Sequence, residues 1–192
     1  VLADIEKEKG NVKKAVALTK QALDLDSDLH NLWYKKAELE LKLLQISDAK
    51  QSCYNAIRLA PETIDYHKLF VEILIYLKQR SELESHLRHI HSLFPANPWV
   101  SLRVSSLLAE KGNLQEAIKV LQKSLSVHPE DHLLMFQLAT ILAGQGKWSE
   151  AIDYFEAGLI QQPTSTWALV QLAKIYLRTG KANLAIEYLE KA

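Results

Sequence analysis

One stretch of the sequence has residue types that could bind a phosphate group. The segment Gly144-Gln-Gly-Lys-Trp-Ser149 places glycines beside a lysine and a serine, as a nucleotide-binding loop does to present backbone N–H groups and a cation. That loop also requires glycine at position 141 and a hydroxyl at position 148, where this chain has Ile141 and Trp148. Two defining positions fail, so the segment does not predict a nucleotide site.

The seven histidines are candidate metal ligands. His86 and His89 lie three residues apart, which places both on roughly one face of a helix, and His91 and Cys53 are the nearest further donors. A structural zinc site needs four such ligands, and no carboxylate or second thiol completes this set. The pattern indicates a solvated histidine cluster. The sequence therefore predicts no metal, no cofactor and no catalytic arrangement of the Ser-His-Asp or Cys-His kind.

The composition limits the classes of partner. Lys plus Arg and Asp plus Glu both number 23, so no net charge attracts the chain to nucleic acid or to an anionic membrane. The longest apolar cluster, residues 69–77, is interrupted by Glu72 and is shorter than the roughly 18 apolar residues of a membrane span. The lone Cys53 rules out an internal disulfide. The compartment stays unassigned, with the cytoplasm slightly favoured and a bacterial periplasm open.

A period of 34 residues runs through the whole sequence. The segment 146–163 shows it best, because shifting it by one period in either direction aligns it with a similar segment. The turn position of successive repeats holds Gly10, Leu44, Lys78, Gly112, Gly146 and Gly180. A fixed period of this length without insertions predicts a stack of similar supersecondary units.

Each repeat is predicted to contain two helices. Large apolar residues recur at helical spacing around one small residue in each helix, such as Ala139 and then Ala151, and small residues let the two helices approach closely. Glycine ends the first helix, since a left-handed conformation costs it least. Proline ends the repeat because it cannot extend the second helix. The residues two positions after the prolines are N-cap types, namely Thr63, Asn97, Asp131 and Ser165.

On these residues the sequence resembles the tetratricopeptide repeat family. The motif residues that carry the resemblance are Trp33, Ala37, Gly112, Ala117, Pro129, Gly146, Ala151, Phe155, Pro163, Tyr176, Gly180 and Ala185. The resemblance covers six units, at residues 1–29, 30–63, 64–97, 98–131, 132–165 and 166–192. It implies an all-α solenoid: a single array of about twelve antiparallel helices in a right-handed superhelix, with a concave groove lined by the first helices. Because the outer units are incomplete, we expect the chain to be part of a longer protein.

The third unit departs furthest from the repeat pattern. Val71 and Leu83 replace the small residues on both sides of the helix crossing, and Lys78 replaces the turn glycine. His67 takes the aromatic place that Trp33 holds one repeat earlier. The larger side chains predict a wider crossing, either as neutral drift compensated by neighbours or as a functional change of pitch.

The positions predicted to face the groove differ along the chain. In the early repeats they are mixed and charged, as at Lys35, Glu38 and Asp65, whereas in the later repeats they form an apolar strip. Exposed apolar strips and aromatic side chains are typical of interaction sites. Alternatively, part of the strip lies between repeats or is covered by further chain. The predicted partner-binding residues are Trp99, Leu102, Arg103, Leu133, Phe136, Gln137, Trp167, Val170, Gln171 and Lys174.

The resemblance implies a non-enzymatic scaffold or adaptor that binds a peptide or a partner helix in this groove. Two alternatives stay open: a module that forms a homo-oligomer through the same strip, and the substrate-recruiting arm of an enzyme whose catalytic domain lies outside these residues. Some members of the family clamp the C-terminal carboxylate of chaperone tails with lysine, asparagine and arginine on successive first helices. Lys68 fits that pattern, but Glu72 and Leu133 do not, so this clamp is not predicted.

Overall fold

The computed structural model describes Ala3, Glu6, Glu8 and residues 10–192. The remaining residues of the first predicted unit, Val1, Leu2, Asp4, Ile5, Lys7 and Lys9, lie outside the described residues. From residue 10 onward the described chain forms eleven helices and no strand. They are α1 (Val12–Leu25), α2 (His30–Lys42), α3 (Ile46–Leu59), α4 (Ile64–Tyr76), α5 (Arg80–Leu93), α6 (Pro98–Glu110), α7 (Leu114–Val127), α8 (His132–Gly144), α9 (Trp148–Gln161), α10 (Thr166–Arg178) and α11 (Ala182–Glu190).

The predicted all-α fold of paired helices is confirmed. Close contacts divide the chain into two compact units, residues 1–86 and 87–192. Among the described residues, none of the helices combines the length and the apolar character that crossing a membrane demands. The predicted single-array organisation stays a prediction.

The core of the first unit is built where small residues let helices approach. Ala37 of α2 and Ala49 of α3 are completely buried, as the sequence predicts for the crossing between these two helices. Larger apolar side chains then fill the space around them. The buried cluster consists of Ala37, Ala49, Cys53, Ala56, Ile57, Tyr66, Phe70, Ile73 and Leu74.

The second unit repeats this arrangement in its helix pairs. Ala139 and Ala151 are completely buried where α8 pairs with α9, and Ala173 and Ala185 are buried where α10 pairs with α11. The larger buried side chains of the same core include Leu121, Leu134, Leu138, Ile141, Leu142, Phe155, Leu172, Ile175 and Tyr176. This packing fixes α8 and α10, the first helices of consecutive repeats, and so fixes the side chains on their remaining faces.

A residue in the left-handed region stands before the second helix of every repeat, two residues ahead of its first helical residue. The four glycines at this position have φ between +75° and +81°, as predicted for a helix-ending glycine. Leu44 and Lys78 adopt the same conformation, with φ of 59° and 55°. In each case the following N–H donates to a carbonyl five residues back, for example Gln45 N to Glu40 O at 2.9 Å. The turn geometry is therefore kept even where glycine is absent.

Replacing Leu44 with glycine is expected to raise the free energy of unfolding by about 0.5–1 kcal/mol. A left-handed residue with a Cβ costs roughly 1–2 kcal/mol, from which the extra backbone entropy of glycine in the unfolded chain is subtracted. Leu44 is 75% exposed, so little packing is lost. Guanidinium unfolding measures the change, and the matched variant Gly112→Ala should shift the midpoint the opposite way. A less stable Leu44→Gly protein would contradict the strain assigned here.

The predicted N-caps are present at the starts of four first helices. Asn97 and Asp131 accept hydrogen bonds from the N–H groups three residues later, at 3.2 and 3.0 Å. Ser165 accepts one from Ala168 at 3.4 Å. Thr63 occupies the cap position of α4, but its side chain makes no capping hydrogen bond. The prediction is confirmed for three caps, and for Thr63 only its position is right.

The boundary between the two units falls inside α5, in the third repeat. Val71 is completely buried and Leu83 is half-buried, so both of the larger side chains at the predicted crossing are packed. The wider helix crossing predicted for this repeat stays a prediction.

Candidate functional site

Two helices of the second unit, α8 and α10, carry most of the predicted partner-binding residues. Leu133, Phe136 and Gln137 recur at helical spacing on α8, and Trp167 lies in the first turn of α10. These four side chains, with Leu102 of α6, line one open depression of about 500 Å³. Five of the ten predicted residues therefore meet at this place, which we call the apolar depression.

Two apolar side chains of the apolar depression are open to solvent. Leu133 is 53% exposed and Trp167 is 50% exposed. The centroid of the Trp167 ring lies 6.0 Å from the ring centroids of Phe136 and Phe155, which are both buried. Aromatic contacts at this separation favour defined ring orientations. The two buried rings therefore support Trp167 from one side, and its other face is exposed to solvent.

The predicted exposure of Phe136 is wrong, because only 4% of this residue is accessible. Its ring occupies the space over Gly158 of α9, and a Cβ at Gly158 would clash with that ring. A phenylalanine at a groove-facing phase thus turns into the core, since a glycine on the partner helix leaves room for it. Phe136 forms the floor of the apolar depression and supports Trp167.

A second depression, of about 210 Å³, lies farther along α8 and α10. Its cations are Lys174 and Arg178, which stand one helical turn apart on α10. The Arg178 guanidinium lies 5.8 Å from the ring centroid of Trp148, within the range of a cation–π contact. We call this the charged depression. It is lined by Thr140, Ala143, Gly144, Trp148, Phe155, Gln171, Lys174, Ile175 and Arg178.

Of the nine residues that line the charged depression, two are among the predicted partner-binding residues, Gln171 and Lys174. Trp148 and Arg178, which form its cation–π contact, are absent from the predicted partner-binding residues. The signal for Arg178 was present, because it follows Lys174 by four residues and so shares its helical face. The contact between Arg178 and Trp148 joins two helices, α10 and α9. The helical periodicity of either segment alone does not predict it.

The remaining predicted residues line neither depression. Trp99 is half-buried, and the exposed Arg103 places its guanidinium 5.6 Å from the Trp99 ring centroid. Val170 is half-buried. Gln137, which does line the apolar depression, donates from Nε2 to Ser106 Oγ at 3.1 Å. Seven of the ten predicted residues therefore lie at the two depressions.

The first unit contains a buried polar network that sequence reasoning also missed. Glu40 of α2 is only 3% exposed, and its carboxylate accepts hydrogen bonds from Lys36 Nζ and from Ser52 Oγ, the latter at 2.7 Å. Lys36 Nζ also lies 2.9 Å from Ser52 Oγ. Lys36 and Glu40, together with Trp33, line a cavity of about 570 Å³. The buried Glu40 and the partly buried Lys36 thus each interact with the other and with one hydroxyl.

The repeat register held the signal for this network. The position of Lys36 is apolar in every later repeat, as is the position of Glu40. The counterparts of Lys36 are Phe70, Val104, Leu138 and Leu172, and those of Glu40 are Leu74, Leu108, Leu142 and Tyr176. A lysine and a glutamate at core positions one helical turn apart therefore predict an ion pair that packs into the core.

The histidine cluster differs from its prediction. His86 is half-buried, and its Nε2 lies 3.2 Å from Nδ1 of the fully buried His67, whose Nε2 donates to Pro61 O at 2.7 Å. Cys53 donates to Tyr66 O at 3.2 Å, and burial raises the pKa of its thiol to about 12. Among the three clustered histidines, His89 is exposed and His86 and His91 are half-buried. In the described part of the chain, no three His, Cys, Asp or Glu side chains group as a metal site.

Solved structures share this fold at low sequence identity. YrrB, described as a TPR protein with an unusual peptide-binding site, is 17% identical, covers 90% of this chain and 89% of its own, and has a TM-score of 0.68. MamA from Desulfovibrio magneticus RS-1 is 15% identical over 84% of this chain and 92% of its own, with a TM-score of 0.69. PilW, a type IV pilus biogenesis factor, is 21% identical over 97% and 87%, also with a TM-score of 0.69. No curated protein is significantly similar to the chain in sequence.

The family comparison agrees with the repeat structure. A tetratricopeptide repeat model matches residues 142–192. Tetratricopeptide repeat proteins are generally non-catalytic scaffolds for protein–protein interaction. The model described as Iml2/Tetratricopeptide repeat protein 39 matches residues 37–162, which is more than half of the sequence. The chain therefore belongs to the Iml2/tetratricopeptide repeat protein 39 family.

Proposed function

We propose that the chain is a non-enzymatic scaffold whose second unit binds a peptide or a partner helix along α8 and α10. The observation that carries this proposal is the half-exposure of Leu133 and Trp167 beside the buried ring of Phe136. Exposed apolar groups that are held in place by a packed core lose little conformational entropy on binding. A rigid tryptophan in a depression is also the residue type that dominates binding energies.

The expected affinity follows from the area available. A tryptophan buries about 150–250 Å² when it is fully covered, so covering the free half of Trp167 removes roughly 100 Å² from water. At about 25 cal/mol per Å² this supplies about 2.5 kcal/mol. Leu133 adds a smaller amount. The likeness to YrrB, described as having a peptide-binding site, supports the same class of ligand.

Replacing Trp167 with alanine is therefore expected to weaken peptide binding about sixtyfold, since about 2.5 kcal/mol corresponds to that factor. The probe is a peptide selected against the wild-type chain from a random library of displayed peptides, and fluorescence anisotropy of the labelled peptide gives Kd. Leu133→Ser should weaken the same peptide by a smaller factor. Circular dichroism should be unchanged for both variants, because both side chains are half-exposed.

The matched control is Ile160→Ala. Ile160 is 75% exposed on α9 and lines neither depression, so this variant should keep the wild-type Kd. Equal losses in Trp167→Ala and Ile160→Ala would contradict the site. Self-association through the same surface is the competing function, and a wild-type mass that rises with concentration but stays monomeric in Trp167→Ala would favour it.

A further inference from the structure

The charged depression combines an apolar floor with two cations. Phe155 and Ile175 are buried beneath it, while Lys174 and Arg178 are exposed at its edge. Neither cation forms an ion pair with a carboxylate of the described chain. Because both stand on one face of α10 four residues apart, they repel each other. An anion bound between them would relieve that repulsion.

The geometry of Arg178 suits a carboxylate. Its guanidinium is held 5.8 Å from the Trp148 ring centroid, so less conformational freedom is lost when a ligand binds. A planar guanidinium can donate two parallel hydrogen bonds to a carboxylate, and the ammonium of Lys174 can add a third. Gln171 and Thr140 supply further neutral polar groups at the rim.

The lysine and arginine side chains that line the two depressions are not accompanied by carboxylates among the lining residues. None of the described residues that line the apolar or the charged depression is acidic. The lysine and the arginine among these lining residues are Lys174 and Arg178. In the first unit, by contrast, the predicted groove positions include the carboxylates of Glu38, Asp65 and Glu72. A ligand of the second unit therefore meets positive charge without competing carboxylates.

The two depressions are consecutive along the same pair of helices. The Phe155 ring lies under the charged depression, and its centroid is 6.0 Å from that of Trp167 in the apolar depression. From Trp167 to Arg178 the helix α10 rises about 16 Å at about 1.5 Å per residue. An extended peptide covers that length with about five residues.

We propose that the ligand of the second unit is an extended acidic–apolar peptide segment. A bulky apolar side chain of the segment packs on Leu133 and Trp167, and an Asp or Glu side chain about five residues away pairs with Lys174 and Arg178. This inference rests on the proposed function and adds the chemistry and spacing of the ligand.

The test is a selection from a random library of displayed 12-residue peptides against the wild-type chain and against Lys174→Glu/Arg178→Glu. The matched control is Lys119→Glu/Lys123→Glu, which makes the same charge change at the same spacing on exposed positions of α7. Wild type and control should enrich peptides with an apolar residue and an acidic residue at the stated separation. The groove variant should bind those peptides at least about tenfold more weakly. Its own selection should lose the acidic preference.

Added salt separates the electrostatic part of this binding. The wild-type Kd for a selected acidic peptide should rise as the NaCl concentration increases, and the Kd of the groove variant should change much less. Enrichment of peptides that need Trp167 for binding but have no acidic residue at the stated separation would overturn this inference. That result would leave the proposed function standing. Failure of wild type to enrich any peptide that depends on Trp167 would overturn both. Equal losses in the groove variant and the control variant would also overturn the inference.

Discussion

Replacing Phe136 with alanine is expected to lower the free energy of unfolding by about 3–5 kcal/mol, the cost of deleting a buried phenylalanine from a packed core. Phe136 is 4% exposed and its ring meets both Phe155 and Trp167. Guanidinium unfolding followed by circular dichroism gives the change. Hydrogen exchange should show the loss of protection concentrated in α8 and α9, because stability in a repeat protein is a sum of local terms.

A double-mutant cycle with Gly158 makes this prediction specific. Gly158→Ala should be destabilising by about 1–3 kcal/mol in the wild type, where the new Cβ clashes with the Phe136 ring. In the Phe136→Ala background the same change should be neutral or stabilising, since alanine favours the helix by about 1 kcal/mol. Gly144→Ala is the control, because a Cβ there meets nothing within 4 Å. Additive effects of Phe136→Ala and Gly158→Ala would contradict the packing described.

Replacing Lys36 with methionine is expected to destabilise the chain by about 3–5 kcal/mol, because it leaves Glu40 buried without its cation. The double variant Lys36→Leu/Glu40→Leu introduces the apolar pattern of the later repeats. It should be as stable as the wild type or more stable by about 1–4 kcal/mol. Thermal and guanidinium unfolding compare the two variants. A double variant as unstable as Lys36→Met would show that the ion pair itself stabilises the core.

The exposed pair Lys68–Asp65 supplies the control for this comparison. Its N···O distance is 2.9 Å and both side chains are well exposed. Surface ion pairs contribute about 0–1 kcal/mol, so Lys68→Met should change the unfolding midpoint very little. A loss equal to that of Lys36→Met would mean that burial is not the source of the larger effect.

The sequence predicts the repeating features of this fold because they depend on local geometry. The register identifies the left-handed turn positions, including Leu44 and Lys78 where no glycine marks them. It also places the N-caps at Asn97 and Asp131, since capping involves only the next three residues. The pairing of helices follows from the same period.

The features that the sequence did not predict depend on contacts between helices. Helical phase assigns Phe136 to the groove, and only the glycine at position 158 on another helix lets its ring turn inward. The approach of Arg178 to Trp148 likewise needs the packing of α9 against α10. Lys36 and Glu40 are different, because the sequence itself shows two charged residues at positions that are apolar in the later repeats. The part of the network that the repeat pattern does not reveal is the contact with Ser52 of the next helix.

Photo-cross-linking tests most directly whether the second unit binds its ligand between α8 and α10. The photoreactive residue p-benzoylphenylalanine replaces Leu133 in one variant and Ile160 in another, and each is irradiated with the labelled selected peptide. Both positions are exposed to solvent. A difference in cross-linking therefore reports where the peptide binds and not whether the photoreactive residue is accessible. The proposed groove predicts a cross-link from position 133 that excess unlabelled peptide abolishes, and none from position 160. Equal cross-linking from the two positions, or cross-linking from position 160 alone, would contradict it.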